Sequence, residues 1–546
     1  MATIETPSDP ARQVVNQPPP LQPIDLLESD LALLEGLERE GGGWGMQAVR
    51  EAGQVAGSVE ALEHGRRAEH NEPRLVTHDR YGHRVDQVEL DPSWHWLLGG
   101  AVSRSMHSLP WRDPRPGAHV VRAAMFSLWS NANAGVMCPV SMTYAAVPTL
   151  REGAPELAAE WEPRLTSPDY ERGALAGMAM TERQGGSDLR ANITRADPVG
   201  DGVYEIHGHK WFCSYPPCDV FLVLAQAPRG LSCLLVKRGP GMEFQRLKDK
   251  LGTRSLPSSE VEFRGIEGRL VGEEGRGVPA IIRMVNHTRL DCLIGSTTGL
   301  RRGTLEAIHH TRHRSTFGTV LADQPAMRNV LADLAIESEA ATATALRVAR
   351  SYDEHGEAAG AFRRFATAVM KYWVTKRAAA HAAEALECLG GNGFVEESGM
   401  PLLYRDAPLN SIWEGSGNVA ALDVLRAVVR EPEGLPAFLS ECEAAAGGDR
   451  RLDAHLARTR ERVQSVFAGA PGAGDEQRLH DSQFEARRLV EELAVGLQAS
   501  LLVRHSPPAV ADAFCAARLD GGGGRVYGTL PRGVDAEAIV DRALPS

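Results

Sequence analysis

Hydrophobic positions recur along this chain at two periods, and the period changes twice. From Ile24 to about Met178 apolar residues return at helical spacing. Leu31, Leu33, Leu34 and Leu37 begin the pattern, Trp94, Trp96, Leu97 and Leu98 mark a later segment, and Ala123 to Tyr144 is apolar and rich in small residues, as a buried helical stretch is. Between 178 and 275 the period shortens. Val203-Tyr204-Glu205-Ile206-His207-Gly208 alternates, the runs Val220–Ala225 and Leu231–Val236 are short and closed by Pro and Gly, and Val261-Glu262-Phe263 alternates again. Short strands with turn signals predict a small antiparallel β domain. From Val278 to about Val429 the helical period returns. Gln324–His355 and Ala358–Leu389 are each about thirty residues with few breakers, which suits an antiparallel bundle. Gly390-Gly391-Asn392-Gly393 closes the second of these stretches, as glycine does past a last helical turn.

The flanks differ. Pro7, Pro10, Pro18, Pro19, Pro20 and Pro23 oppose helix, so residues 1–23 read as an arm. After Glu431-Pro432-Glu433-Gly434 helical patterning continues to the end, interrupted at Gly469–Gly474 and Gly521–Gly524, and no internal repeat is present. The expected fold is mainly α with a central β domain. Its parts are an arm and helical domain (1–177), an antiparallel β domain (178–276), a helical bundle (277–433) and a further C-terminal helical domain (434–546).

Length and composition agree with this division. A chain of 546 residues exceeds what one core serves, so two to four domains are expected. Apolar residues make up 43% and charged residues 24%, ordinary for a soluble globular protein. There is no apolar run of about 18 residues, so no membrane span is expected. Residues 1–25 show no basic-then-apolar start, which predicts a cytoplasmic protein without a secretory signal. The eight cysteines are scattered, which fits reduced thiols rather than a disulfide frame or a zinc site. A net charge of −12 argues against whole-protein attraction to nucleic acid, though not against a local basic patch.

Chemistry concentrates in a few segments. Trp413-Glu414-Gly415-Ser416-Gly417-Asn418 places a carboxylate in a glycine-flanked turn, and Val419, Leu422, Leu425 and Val429 continue it as a helix. Taken alone, Glu414 reads as a surface carboxylate at a helix start. Met180-Thr181-Glu182-Arg183-Gln184-Gly185-Gly186-Ser187-Asp188 is a loop with hydroxyls and free N–H groups of the kind that meets an anion. His309 and His313 share one helix face at i, i+4 spacing, but no third ligand is evident, so a solvated face explains them and no metal is expected. Residues 281–320 carry six arginines against two acids, a local reversal of the chain's acidity.

In this order and spacing the segments resemble the acyl-CoA dehydrogenases, flavoenzymes that carry FAD. The resemblance implies that Glu414 is the base that takes the substrate's α-proton. That task wants a carboxylate in a dry pocket, where its pKa rises, and donors aimed at the thioester oxygen. By the same resemblance the donors are the Glu414 N–H and a ribityl hydroxyl of FAD, with the β-hydride going to the flavin. Met180, Thr181, Gly186 and Ser187 would meet the flavin and its phosphates. Trp211, Phe212, Cys213 and Ser214 would pack along the ring system. Arg314, Phe317 and Gln324 would reach a neighbour's FAD, an Arg fork suiting a diphosphate. Gly390 and Gly391 would form the adenine-side loop, and Ser416 and Asn418 complete the set. Arg289 falls where the family keeps a buried Arg near the acyl site, and a structural ion pair explains it equally. The sequence departs from the family at Trp413, where Tyr is common, at Ser416, where Thr is common, and at Arg183-Gln184, where Pro is usual. The bulkier Trp413 would narrow the acyl pocket. A site shared between chains implies an oligomer, expected as a homotetramer.

Further motifs resemble the AidB-like, alkylation-response branch: Asn16-Gln17-Pro18, Glu40–Gly45, Cys138-Pro139, His209–Phe212, Leu247–Gly252 and Asn410–Asn418. That branch is associated with double-stranded DNA through its C-terminal part. Here residues 435–546 hold thirteen arginines, no lysine and sixteen acids, with Arg450, Arg451, Arg458, Arg460 and Arg462 clustered and Arg487 and Arg488 further on. Phosphate contacts need only local Arg density, and a solvated helix face explains the cluster as well. Two functions therefore stand side by side: an FAD-dependent oxidoreductase on an acyl-CoA-like molecule, and a DNA-associated protective protein with vestigial dehydrogenase activity. A nitroalkane-oxidase-like reading is remoter, since its base is Asp.

Overall fold

A computed structural model describes residues 13–468 and 474–545. Pro7, Pro10 and most of the Gly469–Gly474 break lie outside the described residues.

The N-terminal helices start where short polar side chains satisfy the first free N–H groups. Asp30 accepts from Leu33 N at 3.1 Å, Ser58 from Ala61 N at 3.1 Å, and Asp91, ahead of Pro92, from Ser93 N at 2.8 Å. Their apolar faces close over Leu37, Trp94, Phe126 and Trp129. One element departs from the helical reading. Arg74–His78 and Arg84–Glu89 form an antiparallel hairpin. It lies mostly in solvent, so its few apolar residues give no clear alternation. It is held by the neighbouring β domain, where Arg84 donates to Phe244 O at 2.7 Å and Phe244 N to Asp86 Oδ2 at 3.2 Å.

Seven strands, from Ala176–Ala179 to Ser258–Val271, form one sheet. Val220–Ala227 pairs with Gly230–Lys237 on one side and with both Ala176–Ala179 and Arg195 on the other. The path through Val203–Ser214 and Ser258–Val271 therefore returns on itself. The pairings with Ala176–Ala179 and with Arg195 are parallel, an exception to the antiparallel expectation. A parallel pair needs a long connection. The first of these connections is the stretch 180–219, which carries the Thr181–Ser187 loop and Trp211.

The next four long elements are Gly277–Arg312, Pro325–Ser351, Glu357–Cys388 and Gly417–Arg430. They pack on one another as a bundle, and the first also packs on the N-terminal helix Met137–Gly153. Six further helices follow, from Gly434–Glu443 to Ala536–Ala543 among the described residues. Phe438, Leu489, Leu493, Leu497 and Phe514 bury against the bundle. Beneath them lies a set of buried charges. Arg518 pairs with Asp333 and with Glu337 at 3.2 Å, Arg377 pairs with Glu337 at 3.1 Å, and Gly528 N donates to Asp333 Oδ2 at 3.0 Å. No helix among the described residues is long and apolar enough to cross a membrane.

Candidate functional site

Glu414 lies in the turn between the bundle and its last helix, with a φ of 58°, and Gly415 follows at 100°. Two consecutive left-handed residues reverse the chain within one turn, and the second tolerates this as glycine. The turn is held from behind by cations. Lys371 Nζ donates to Trp413 O at 2.8 Å and to Gly415 O at 2.5 Å, and Arg289 Nε donates to Glu414 O at 2.9 Å. Three successive carbonyls thus face inward to positive charge. The Glu414 N–H donates to no backbone carbonyl among the described residues.

The carboxyl itself is enclosed. Glu414 Oε2 is buried and accepts no hydrogen bond among the described residues. Burial pushes its pKa up, against opposing pulls from the Thr288 hydroxyl, Lys371 and Arg289. A desolvated carboxyl with a free oxygen is a better proton acceptor than one paired on the surface. The surface-carboxylate alternative for Glu414 is therefore not what the fold builds. Arg289 does two jobs: besides the Glu414 carbonyl it pairs with Asp423 at 2.6 Å, and Asp423 is shared with Arg364 at 2.8 Å. Trp413 is fixed by its indole N–H, which donates to Asn410 Oδ1 at 2.9 Å, while Asn410 donates to Ser296 Oγ at 3.1 Å.

The Thr181–Ser187 loop is ordered by a buried ion pair. Lys210 Nζ meets Glu182 Oε1 at 2.7 Å with both side chains fully inaccessible. Glu182 also accepts from Ile193 N at 2.7 Å and Thr194 N at 3.2 Å. Burial alone would raise this carboxyl, but Lys210 and these donors outweigh it and hold it down to about 2. Trp211 N then donates to Thr181 O at 2.8 Å, joining the loop to its strand. A Cβ on Gly186 would collide with the Thr181 side chain, so glycine lets the loop return closely on itself. Met180 is half-buried, with its carbonyl accepting from Asn192 at 2.9 Å, and Ser187 is exposed. Along the strand, Cys213 is buried, Ser214 half-buried and Phe212 exposed. Burial pushes the Cys138 thiol up to about 12, with Lys250 opposing, Glu414 reinforcing and Ser214 opposing.

The remaining predicted residues divide into two places. Ser416 and Asn418 open the last bundle helix beside Glu414, and Asn418 Oδ1 accepts from Arg487 Nε of the C-terminal domain at 2.8 Å. Arg314, Phe317, Gln324, Gly390 and Gly391 lie apart, on the bundle's far end. There Ser315–Thr316 pairs with Thr319–Val320 through a turn at Phe317 and Gly318, both left-handed. Gln324 Nε2 donates to Thr316 O at 3.1 Å and Thr316 Oγ1 at 2.9 Å, bracing the hairpin. Gly390 and Gly391 face open space. Arg314 donates to Asn16 O at 2.8 Å.

His309 and His313 are each held by a backbone carbonyl. His309 Nε2 is bonded to Pro19 O at 2.8 Å and His313 Nδ1 to His309 O at 2.8 Å. The C-terminal arginines are engaged too. Arg451 pairs with Asp449 at 2.5 Å and Asp512 at 2.7 Å, Arg460 with Glu443, and Arg462 with Glu492 at 2.7 Å. Arg458 donates to Leu519 O at 3.2 Å, while Arg450 is exposed. Three of the five clustered arginines, Arg451, Arg460 and Arg462, are thus neutralised by acids that the fold brings beside them.

Lys371, Asp423 and Thr288 escaped the sequence reading, and Asn410 entered it only as part of a motif. Lys371 had a signal: it is the one charge in Phe365–Thr375, and a lone charge in an apolar helical run is usually paired when buried. Lys371→Met is expected to leave the Trp413 and Gly415 carbonyls buried without a donor, at about 1–3 kcal/mol for each. Thermal unfolding of the variant checks this.

Three family matches divide the chain: the adaptive response protein AidB N-terminal domain at residues 16–172, the acyl-CoA dehydrogenase middle domain at 177–266 and the acyl-CoA dehydrogenase C-terminal domain at 275–429. The AidB protein of Escherichia coli is 41% identical over 94% of this chain and 95% of its own. Acyl-CoA dehydrogenase family member 11 of Caenorhabditis elegans is 33% identical over 76% of this chain and 71% of its own. The solved structure of Caenorhabditis elegans ACDH-11 in complex with C11-CoA matches with a TM-score of 0.85 at 27% identity, covering 99% of this chain and 93% of that one. With three family domains matched in order over residues 16–429 and a near-full-length relative at this identity, the chain belongs to the acyl-CoA dehydrogenase family, in its AidB-like branch.

Proposed function

We propose that this protein is an FAD-dependent acyl-CoA dehydrogenase-like oxidoreductase in which Glu414 removes the α-proton of an acyl thioester. The observation that carries the reading is the enclosed Glu414 carboxyl, with one oxygen unpartnered, on a turn whose carbonyls are all drawn away to Lys371 and Arg289. Turning the carbonyls inward leaves the Glu414 N–H available as a donor to a thioester oxygen, where charge builds as the proton leaves. Trp413, fixed through Asn410, would narrow the acyl side of the pocket.

The residues fit an FAD. Gly186 is a glycine because the Thr181 hydroxyl occupies the place of a Cβ, and Gly390 and Gly391 leave open backbone. Met180, Thr181, Gly186, Ser187, Trp211, Phe212, Cys213, Ser214, Ser416 and Asn418 would hold it within the chain, and Arg314, Phe317, Gln324, Gly390 and Gly391 from a neighbouring copy. When bound, the flavin supplies the acceptor for the β-hydride. The Caenorhabditis elegans relative was solved with C11-CoA, which supports an acyl-CoA as the substrate class.

The assembly proposed is a homotetramer, or at least a dimer. Phe317 stands 99% exposed at the hairpin tip and Phe394 82% exposed beside Gly390–Gly391, two large apolar side chains that a neighbouring copy would cover. The DNA-associated reading gains nothing from the structure's paired arginines and is not favoured here.

The test is an anaerobic titration with a panel of acyl-CoAs, watched by flavin absorbance. Purified protein is expected to be yellow, with about one FAD per chain, and to bleach with at least one thioester. Colourless protein that fails to take up FAD contradicts the reading. Light scattering checks the assembly, and a monomer that retains FAD contradicts the shared site.

A further inference from the structure

Residues 16–19 of the N-terminal arm are held against the bundle. Asn16 sits in the left-handed region at a φ of 58° and spreads its side-chain amide along Ser315. Asn16 Oδ1 accepts from Ser315 N at 2.7 Å, and Asn16 Nδ2 donates to Ser315 O at 2.7 Å. The amide thus takes the place of a neighbouring strand residue on the outer edge of the Ser315–Val320 hairpin, whose inner edge is paired within the hairpin. The Asn16 carbonyl at the same time accepts from Arg314 Nη1 at 2.8 Å. The contact continues along the arm. Gln17 Oε1 accepts from Asn392 Nδ2 at 3.0 Å, and Pro19 O is bonded to His309 Nε2 at 2.8 Å.

These partners come from three separate places: the end of helix Gly277–Arg312, the hairpin after it, and the Gly390–Phe394 turn. Left alone, the hairpin has two residues per strand and a bulky Phe317 in a left-handed turn. So short a hairpin is marginal in water without support. The arm and Gln324 provide that support from opposite sides.

We propose that the arm, through Asn16 and Gln17, is a positioning element of the dinucleotide site: it sets Arg314 and the Gly390–Gly391 turn relative to each other for the adenosine diphosphate part of FAD. The proposal rests on the FAD reading above. It adds a fourth element to that end of the site, and it explains why an exposed asparagine is held in a backbone region that most residues avoid. A pre-set Arg fork loses less freedom when it meets a diphosphate, so affinity rises without any new contact to the ligand.

The test uses full-length protein stripped of flavin, with Asn16→Gly and Asn16→Asp. Glycine accepts the left-handed backbone, keeps the carbonyl that Arg314 uses and removes the amide pairing. Aspartate keeps the acceptor for Ser315 N–H and loses the donor. Hydrogen exchange of the hairpin amides and the FAD dissociation constant, by fluorescence, are both measured. In Asn16→Gly the Ser315 amide is expected to exchange faster and FAD to bind roughly tenfold more weakly, as loss of two net hydrogen bonds implies. Asn16→Asp is expected to fall between it and wild type. An unchanged Ser315 exchange rate, or an FAD affinity within about twofold of wild type, overturns the proposal. If wild type takes up no FAD, the cofactor reading falls and the dinucleotide role with it.

Discussion

Glu414→Gln is expected to abolish acyl-CoA-dependent bleaching of the flavin, by roughly a hundred- to ten-thousandfold in rate, while FAD stays bound. The amide keeps the size of the carboxyl and can still hydrogen-bond, but it cannot take a proton. Its position is set by the Lys371 and Arg289 contacts to the backbone of the turn, which the substitution does not touch. Stopped-flow absorbance on the reconstituted variant measures the effect, and bleaching at the wild-type rate would refute the assignment.

The same substitution has a stability signature of opposite sign. Burial raises the Glu414 pKa in the folded protein. A carboxyl with a raised folded pKa favours the fold while it is protonated and disfavours it as pH rises through that pKa. Glutamine is neutral throughout. Glu414→Gln is therefore expected to melt higher than wild type at pH 8, with the gain shrinking at acid pH. A merely structural glutamate, paired and satisfied, would give a loss instead.

The largest loss of stability is expected from Arg518→Met. Arg518 reaches from the C-terminal domain to Asp333 and Glu337, both buried. Methionine fills much of the volume but leaves two carboxylates short of their partner in a poorly solvated place. Removing one member of a buried charge network costs about 3–5 kcal/mol. Arg377 still holds Glu337, whereas Asp333 keeps only the Gly528 and Thr529 amides, so Asp333 bears most of the cost. The C-terminal helices are expected to release from the bundle first, seen as early proteolysis after Gly434 and a lowered melting temperature. Acid acts on the same contact. Burial alone would raise the Glu337 pKa, but Arg377 and Arg518 bring it down to about 2 from an ordinary 4.5. Its stabilising share is whole above that ordinary value and fades as pH falls toward the folded one. The variant is expected to lose part of this acid dependence, which melting between pH 7 and pH 3 would show.

Much of the molecule could be read from order along the chain. Periodicity located the sheet and the bundle because each of those segments buries one consistent face, and burial imposes a period. The hairpin at Arg74–Glu89 was missed for the converse reason: it lies mostly in solvent, so nothing forces its residues to alternate. The Glu414 turn and the Thr181–Ser187 loop could be located because a chain that reverses sharply or returns closely on itself uses glycine, as at Gly415 and Gly186, and glycine shows in a sequence.

What the tertiary structure alone decided was pairing. Charges close in sequence, such as Arg458, Arg460 and Arg462, look like a basic patch until the fold brings acidic side chains among them, as Glu443 and Glu492 do for Arg460 and Arg462. Charges far apart become one device: Lys371 and Arg289 lie on two helices and meet only on the carbonyls of the Glu414 turn. Asn16 and Ser315 are 299 residues apart and share two hydrogen bonds. Residue type and local spacing determine which segments can bury a face or turn sharply. Which charge a buried carboxyl or carbonyl meets depends on elements brought together across the chain, and a one-dimensional pattern carries no record of that distance.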